Sequence, residues 1–249
     1  MATLGPGMVI FRSLATTLIW GMVVTILWVA VLGVFDPPVT WTMLERWVQH
    51  GSLQRPWYDA DEIASVVPIA LVAAEDQRFM EHHGFDLEAL RKAAEHNASK
   101  RKGRRLKGGS TISQQTAKNV FLWQGRTYLR KGIEVWFTAV MELLWSKERI
   151  ITVYMNVAET GKGRFGVGAA AAHCFHVPPS RLTREHAALI AVVLPSPQRS
   201  DCIRPTKYLL GRRSWVLRQM AQLGDVFAEP PARKKKRTTP NSGKQGKKG

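Results

Sequence analysis

The sequence predicts a mainly α protein, a helical body preceded by one transmembrane helix. Three observations carry that expectation: residues 14–35 run without a formal charge, apolar residues farther along recur at helical period, and strictly alternating strand patterns are nearly absent. At 249 residues and 27.9 kDa the chain has room for a sizeable buried core. With 45% hydrophobic and only 22% charged residues, collagen-like, mucin-like and generally disordered classes are excluded.

The elements follow in order. At about 1.5 Å per residue, 14–35 would extend roughly 33 Å, enough to cross a bilayer core. It is longer than a signal-peptide core and ends in Val34-Phe35-Asp36-Pro37-Pro38, so a retained anchor is expected. Arg12 is the only charged side chain before it, which assigns residues 1–13 to the cytosol and the rest to the far side. In the juxtamembrane segment 36–55, Pro37-Pro38 breaks the helix. Thr42 and Glu45 have capping-box spacing for a short helix carrying Trp41, Leu44, Trp47 and Val48. That apolar face suits either a membrane interface or packing on the body.

The body is expected over 56–228. Pro68 suits the first turn of a helix through PIALVAAEDQRF. A second helix is predicted over 128–145, with Ile133, Trp136, Phe137, Val140 and Leu144 on one face, and a third over 148–156. The glycine-rich stretch 161–168 reads as a turn before an alanine-rich helix, AAAAHCF.

Charge is concentrated. The chain carries a net +17, of which residues 230–249 hold +8 and residues 91–107 hold +7, so everything else is nearly neutral. The segment 229–249, rich in Pro, Gly, Ser and Lys, reads as a solvated disordered tail; 91–107 reads as a charged loop that could meet anionic lipid or a phosphorylated substrate. Cys174 and Cys202 are too few for a disulfide framework, form no CxxC pair and leave the redox compartment open.

Candidate chemistry sits in three places. In AEDQRFMEHHGFD, residues 74–86, an apolar helix delivers Glu75 and Asp76 to its polar end beside Phe79, where a carboxylate could gain the raised proton affinity of a general base. His82-His83 and the HCFH at 173–176 lack further ligands at zinc-like spacing. In GGSTISQQTAKN, residues 108–119, Ser110, Thr111, Ser113, Gln114, Gln115, Lys118 and Asn119 offer donors dense enough for a sugar or phosphate, although P-loop spacing is missing. Arg130, Lys131 and Glu134 share a helical stripe with Thr138 and Glu142, a pattern also expected of surface ion pairs.

In series, EDQRFMEHHG, GGSTISQQTAKN, RKGIE and SKERIITVYMN resemble the motifs of the peptidoglycan glycosyltransferase family, also found as the first catalytic module of bifunctional penicillin-binding proteins. The resemblance covers about residues 56–222. It leaves no stretch for a transpeptidase domain, so it is to the monofunctional members. It implies a lysozyme-like glycosyltransferase domain with a membrane-proximal lobe, at the cell inner (plasma) membrane with the catalytic domain on the extracytoplasmic side.

The resemblance also implies the reaction, extension of glycan chains from lipid II with release of undecaprenyl pyrophosphate. Glu75 would take the proton from the acceptor hydroxyl. Glu134, with Lys118, Arg130 and Lys131, would orient groups and stabilise the pyrophosphate, and Asp76, Phe79, Ser110, Thr111, Gln114 and Gln115 would shape the site. No cofactor is required, although a divalent cation (Mg or Mn) could accompany the pyrophosphate. The partners implied are lipid II, the nascent glycan chain, the membrane and other cell-wall synthesis proteins, with no nucleic acid. One departure stands out, because Cys174 and Val177 occupy the Tyr and Lys positions of the family's usual AAxxYFxK. A lysozyme-like hydrolase of finished wall and an anchored polyanion-binding protein are the competing readings; the second leaves GGSTISQQ and RKGIE without a task.

Overall fold

The computed structural model describes residues 6–99, 108–125, 127–224 and 226–227. Residues 100–107 of the basic stretch and the whole of the basic tail 229–249 lie outside the described residues.

The first helix, α1 (Pro6–Val34), begins earlier than the charge-free run and is long and apolar enough to cross a membrane by length and composition. Most of its surface is exposed, and its last third is held against the body. The indole of Trp28 meets Phe121 and Phe137 edge-on, at 5.2 and 6.0 Å between ring centres. Trp136 Nε1 donates to Thr25 Oγ1 (3.1 Å) and Trp145 Nε1 to the Val29 carbonyl (2.8 Å). Gly33 is required here, since a Cβ would lie 2.9 Å from the Trp145 ring. The helix's terminal carbonyls need partners, and Arg149 supplies them. Its Nη2 donates to the carbonyls of Leu32 and Phe35, while Nη1 pairs with Asp36 at 2.8 Å.

The next helix, α2 (Trp41–His50), starts one residue ahead of the expected cap. Thr40, not Thr42, is the N-cap and accepts from the Met43 N–H, because the Thr42 hydroxyl is occupied by Gln124 Nε2 at 2.7 Å. The face bearing Trp41, Leu44, Trp47 and Val48 is exposed and does not pack on the body.

The body builds on α3 (Val66–Glu75), which is apolar nearly all round and consequently central, packed against α9 (Arg184–Val193) and α10 (Lys207–Leu223). A second group is formed by α5 (Ile112–Phe121), α6 (Tyr128–Leu144) and α7 (Lys147–Val157), with α1 resting on α6. Phe137 and Val140 of the predicted α6 face are buried, but Leu144 remains 45% exposed at the helix end.

The first part of the basic stretch is not a loop. Residues 91–98 belong to α4 (Leu87–Ala98), which Asp86 caps through the Ala89 N–H at 2.8 Å. The glycine-rich turn forms a small antiparallel hairpin, β1 (Glu159–Gly161) and β2 (Arg164–Phe165), the single sheet among the described residues. The alanine-rich helix is a short α8 (Gly166–Ala170) that widens into a π-helical turn, Ala171–Phe175. Cys174 in that turn is disulfide-bonded to Cys202 in the segment between α9 and α10.

Candidate active site

A cleft of about 520 Å³ opens between these groups. Gln115, Lys118 and Asn119 come to it from α5, Arg130 from α6 and Tyr154 from α7; Arg46 of α2 and the segment from Leu194 to Arg199 form the opposite wall.

Glu75, the last residue of α3, is one hydrogen bond removed from that lining. Its Oε2 accepts from Gln115 Nε2 at 2.9 Å, and Gln115 Oε1 in turn accepts from the Tyr154 hydroxyl at 3.0 Å. Loss of hydration raises the proton affinity of Glu75 above the ordinary carboxylate value, and neighbouring Asp76 adds to this; the Gln115 hydrogen bond and the charges of Arg212 and Lys118 oppose it. Burial likewise pushes the Tyr154 phenol well above its usual value.

Asp76 and Phe79 are buried and lie outside the cleft lining. Asp76 is buried, accepting from the Ile112 N–H at the start of α5 (2.9 Å) and paired with His82 Nε2 (2.9 Å). The Glu-Asp turn is thereby fastened to the amino end of α5, where the helix dipole favours a carboxylate. His82 therefore serves Asp76, and no group of three His, Cys, Asp or Glu suited to a metal occurs among the described residues. Phe79 is wholly buried, with Lys147 Nζ 4.6 Å above its ring.

The GGSTISQQ segment distributes its polar groups differently from the expected bank of donors. Thr111 caps α5 and, with Gln114, closes a capping box; the Thr111 hydroxyl donates to the Gly84 carbonyl at 2.7 Å. Ser113 donates to Glu142, which also pairs with Lys147. Ser110 is exposed ahead of the helix. Of this segment, Gln115, Lys118 and Asn119 face the cleft.

The Arg130, Lys131 and Glu134 group is not a surface stripe. Arg130 and Glu134 are buried and paired at 2.6 Å, and Lys131 closes on the other Glu134 oxygen. Arg130 Nε has no partner among the described residues, and the guanidinium lines the cleft. Lys118 Nζ has neither hydrogen bond nor ion pair among the described residues. Burial pushes its pKa below the usual lysine value, with Glu134 opposing and Arg130 and Lys131 reinforcing the fall. This places an ammonium and a guanidinium beside each other with capacity for an external anion.

Several participants escape sequence reasoning. Arg46 Nε meets both Glu159 oxygens at 3.1 Å, and Gln198 Nε2 donates to Glu159 Oε1 at 3.2 Å, joining α2, the hairpin and the far wall. Tyr154 lies within the quoted SKERIITVYMN stretch, but nothing in that pattern singles it out from its apolar neighbours.

Comparison with known proteins gives one consistent result. The family model described as Transglycosylase matches residues 42–221. Proteins named biosynthetic peptidoglycan transglycosylase are similar over most of the chain: that of Pseudomonas fluorescens is 47% identical over 221 residues, covering 86% of this chain and 91% of the relative. The Xanthomonas campestris pv. campestris protein is 49% identical over 207 residues (80% and 83%), and that of Pseudomonas aeruginosa 47% over 221 (86% and 94%). The cleft, the buried Asp76 and Glu134 and the cations Lys118 and Arg130 thus sit inside a matched segment running from α2 nearly to the end of α10, and the chain belongs to the transglycosylase family, whose lysozyme-like domain its helical body forms.

Proposed function

We infer that the chain is a peptidoglycan glycosyltransferase of cell-wall biosynthesis, polymerising lipid II into linear β-1,4-linked glycan with release of undecaprenyl pyrophosphate. The observation that carries this reading is one cleft with a carboxylate of raised proton affinity reached through Gln115 and two cations, Lys118 and Arg130, lining its wall. Glu75 acts as general base on the acceptor 4-hydroxyl, which attacks the anomeric carbon of the donor. Inversion converts the α-linked pyrophosphate into a β-1,4 bond. Charge develops on the departing pyrophosphate, and Lys118 and Arg130 meet it, with Glu134 and Lys131 holding Arg130 and its surroundings in place. The donors there are cationic, so the protein supplies counter-charge itself, and any divalent cation (Mg or Mn) would accompany the pyrophosphate.

The division into anchor, juxtamembrane segment 36–55, catalytic domain 56–228 and tail 229–249 belongs to the same proposal. Residues 1–13 lie in the cytosol, α1 crosses the plasma membrane once, and the exposed Trp41, Leu44, Trp47 and Val48 of α2 rest at its interface as part of a membrane-proximal lobe. The Cys174–Cys202 disulfide supports an extracytoplasmic body, because such bonds persist in oxidising compartments.

Detergent-solubilised full-length protein incubated with labelled lipid II should yield lysozyme-sensitive polymer. Release of soluble fragments from finished wall, with no polymer from lipid II, would make it a hydrolase instead.

A further inference from the structure

We infer that Tyr154 is a positioning residue for the reaction proposed above, its hydroxyl fixing the Gln115 amide so that Nε2 presents an N–H to Glu75. The inference rests on the base role of Glu75, and the geometry behind it is a chain of three side chains from three helices. Tyr154 Oη lies 3.0 Å from Gln115 Oε1, and Gln115 Nε2 lies 2.9 Å from Glu75 Oε2. An amide oxygen only accepts, so the phenol must donate.

The polarity of that chain matters because a glutamine amide is nearly symmetric in shape and opposite in chemistry at its two ends. In the observed orientation an ionised Glu75 accepts an N–H and Gln115 accepts the phenolic proton, so each of the two contacts pairs a donor with an acceptor. Rotating the amide by half a turn brings Oε1 against the carboxylate, an arrangement that bonds only if Glu75 is protonated. It also strips the Tyr154 proton of the one acceptor it has among the described residues. Tyr154 is 1% exposed, so water cannot readily replace Gln115. The hydroxyl therefore biases the amide toward the orientation that favours a carboxylate ready to take a proton. Without the hydroxyl both orientations are open, and the one that pairs with neutral Glu75 gains population.

The other charged groups around Glu75 are Asp76 at the same turn, Lys118 on α5 and Arg212 on α10. None of them touches Tyr154 through a hydrogen bond, so removing the phenolic oxygen leaves their charges where they are. Gln115 faces the cleft and Glu75 reaches it through Gln115, whereas Tyr154, itself among the lining residues, acts on Glu75 through Gln115.

The test is Tyr154→Phe, which keeps the ring that fills the core and deletes one oxygen. Polymerisation of lipid II is followed from acid to alkaline pH. The acid limb of kcat should move to higher pH, giving a loss of about fivefold or more near pH 6 that closes to within about twofold near pH 9. KM for lipid II should stay within about twofold of wild type, as expected for a change in the base and not in binding. In a Gln115→Ala background, Tyr154→Phe should have no further effect, since the route through the amide is already gone. A pH profile that superimposes on wild type, a loss of equal factor at every pH, or an undiminished effect in the Gln115→Ala background would each overturn the inference.

A second measurement separates this inference from the function it rests on. The carboxylate band of Glu75, identified by infrared difference against Glu75→Gln, is titrated in Tyr154→Phe and in wild-type protein. Its midpoint should move to higher pH in Tyr154→Phe whether or not Glu75 proves to be the base, and an unmoved midpoint sinks the positioning role. Wild-type polymerisation by Glu75→Gln would instead remove the base assignment and leave the amide orientation to be judged by the infrared titration alone.

Discussion

Glu75 and Glu134 are the same side chain placed in opposite surroundings, each reaching one cleft through a lining residue, Gln115 for the first and Arg130 for the second. Glu75 ends an apolar helix and has one neutral hydrogen-bond donor, Gln115, with its charges of opposite sign acting only from a distance. Glu134 is buried deeper and gripped by two cations, Arg130 at 2.6 Å and Lys131 on its other oxygen. The difference teaches how a fold assigns roles to identical groups. A carboxylate stripped of water and left without a charged partner is poised to take a proton, whereas one locked between cations organises charge for others.

Replacing the first carboxylate should have the largest effect on turnover. Glu75→Gln should lower lipid II polymerisation by about 10²–10⁴-fold, the usual cost of losing a positioned base. The same substitution should raise the thermal midpoint at neutral pH. Burial sets the proton affinity of Glu75 higher in the folded than in the unfolded chain, so its favourable contribution is complete below the unfolded pKa and is lost as pH rises through the folded one. Above both values the folded protein carries Glu75 ionised under penalty, and glutamine, which does not ionise, relieves it. A lowered midpoint would erase the contrast with Glu134.

Glu134→Gln should be the next most severe, about 10²–10³-fold in kcat/KM, and should move stability the other way. Arg130 would be left buried without its counter-charge, a change that typically costs about 3–5 kcal/mol, and thermal unfolding should show a clear fall. Similar midpoints for the two variants would mean that the surroundings do not distinguish them.

Lys118→Ala sharpens the comparison from the cation side. It should cost about tenfold or more in kcat/KM, while Lys235→Ala in the tail should change nothing measurable. Because burial lowers the pKa of Lys118, wild-type activity should decline at alkaline pH before an ordinary lysine would titrate, and this limb should vanish in the variant. The smallest effect on turnover is expected for Cys202→Ser, within about threefold, with a loss of stability of about 2–4 kcal/mol from the broken cross-link. A larger loss of turnover would show that the disulfide tunes the wall carrying Gln198 as well as bracing it.

How much of this was legible depended on whether the signal was local. The helices over 128–145 and 148–156 appear within a residue or two of their expected ends, since apolar spacing reports the face a helix will bury. Thr42 was misread as a cap because its hydroxyl is claimed by Gln124, 82 residues away in sequence. Residues 91–98 read as loop because their charge masks the Asp86 cap and the Leu87, Leu90, Ala93 spacing of α4. Arg130 and Glu134 read equally well as a surface pair, since spacing along one helix says nothing about what covers it. Glu75, Lys118 and Gln115 were reached through motif resemblance, whereas the Tyr154 contact and the Cys174–Cys202 bond required three-dimensional proximity that no single segment encodes.

The seam between α1 and α6 has a mechanical consequence. A domain hung on a slack leash would sample every tilt against the bilayer, and each encounter with a membrane-held substrate would have to select the few productive poses. Here Trp28, Trp136, Trp145 and Arg149 weld α1 to the body over its last turns. Placed across a bilayer, the molecule keeps two broad freedoms, drift in the plane and spin about the axis of α1, while the height and pitch of the cleft are set by folding. The orientational entropy that a leash would forfeit at every encounter is thus lost once, when the chain folds. Widening the seam at Gly33 would convert the axle back into a leash.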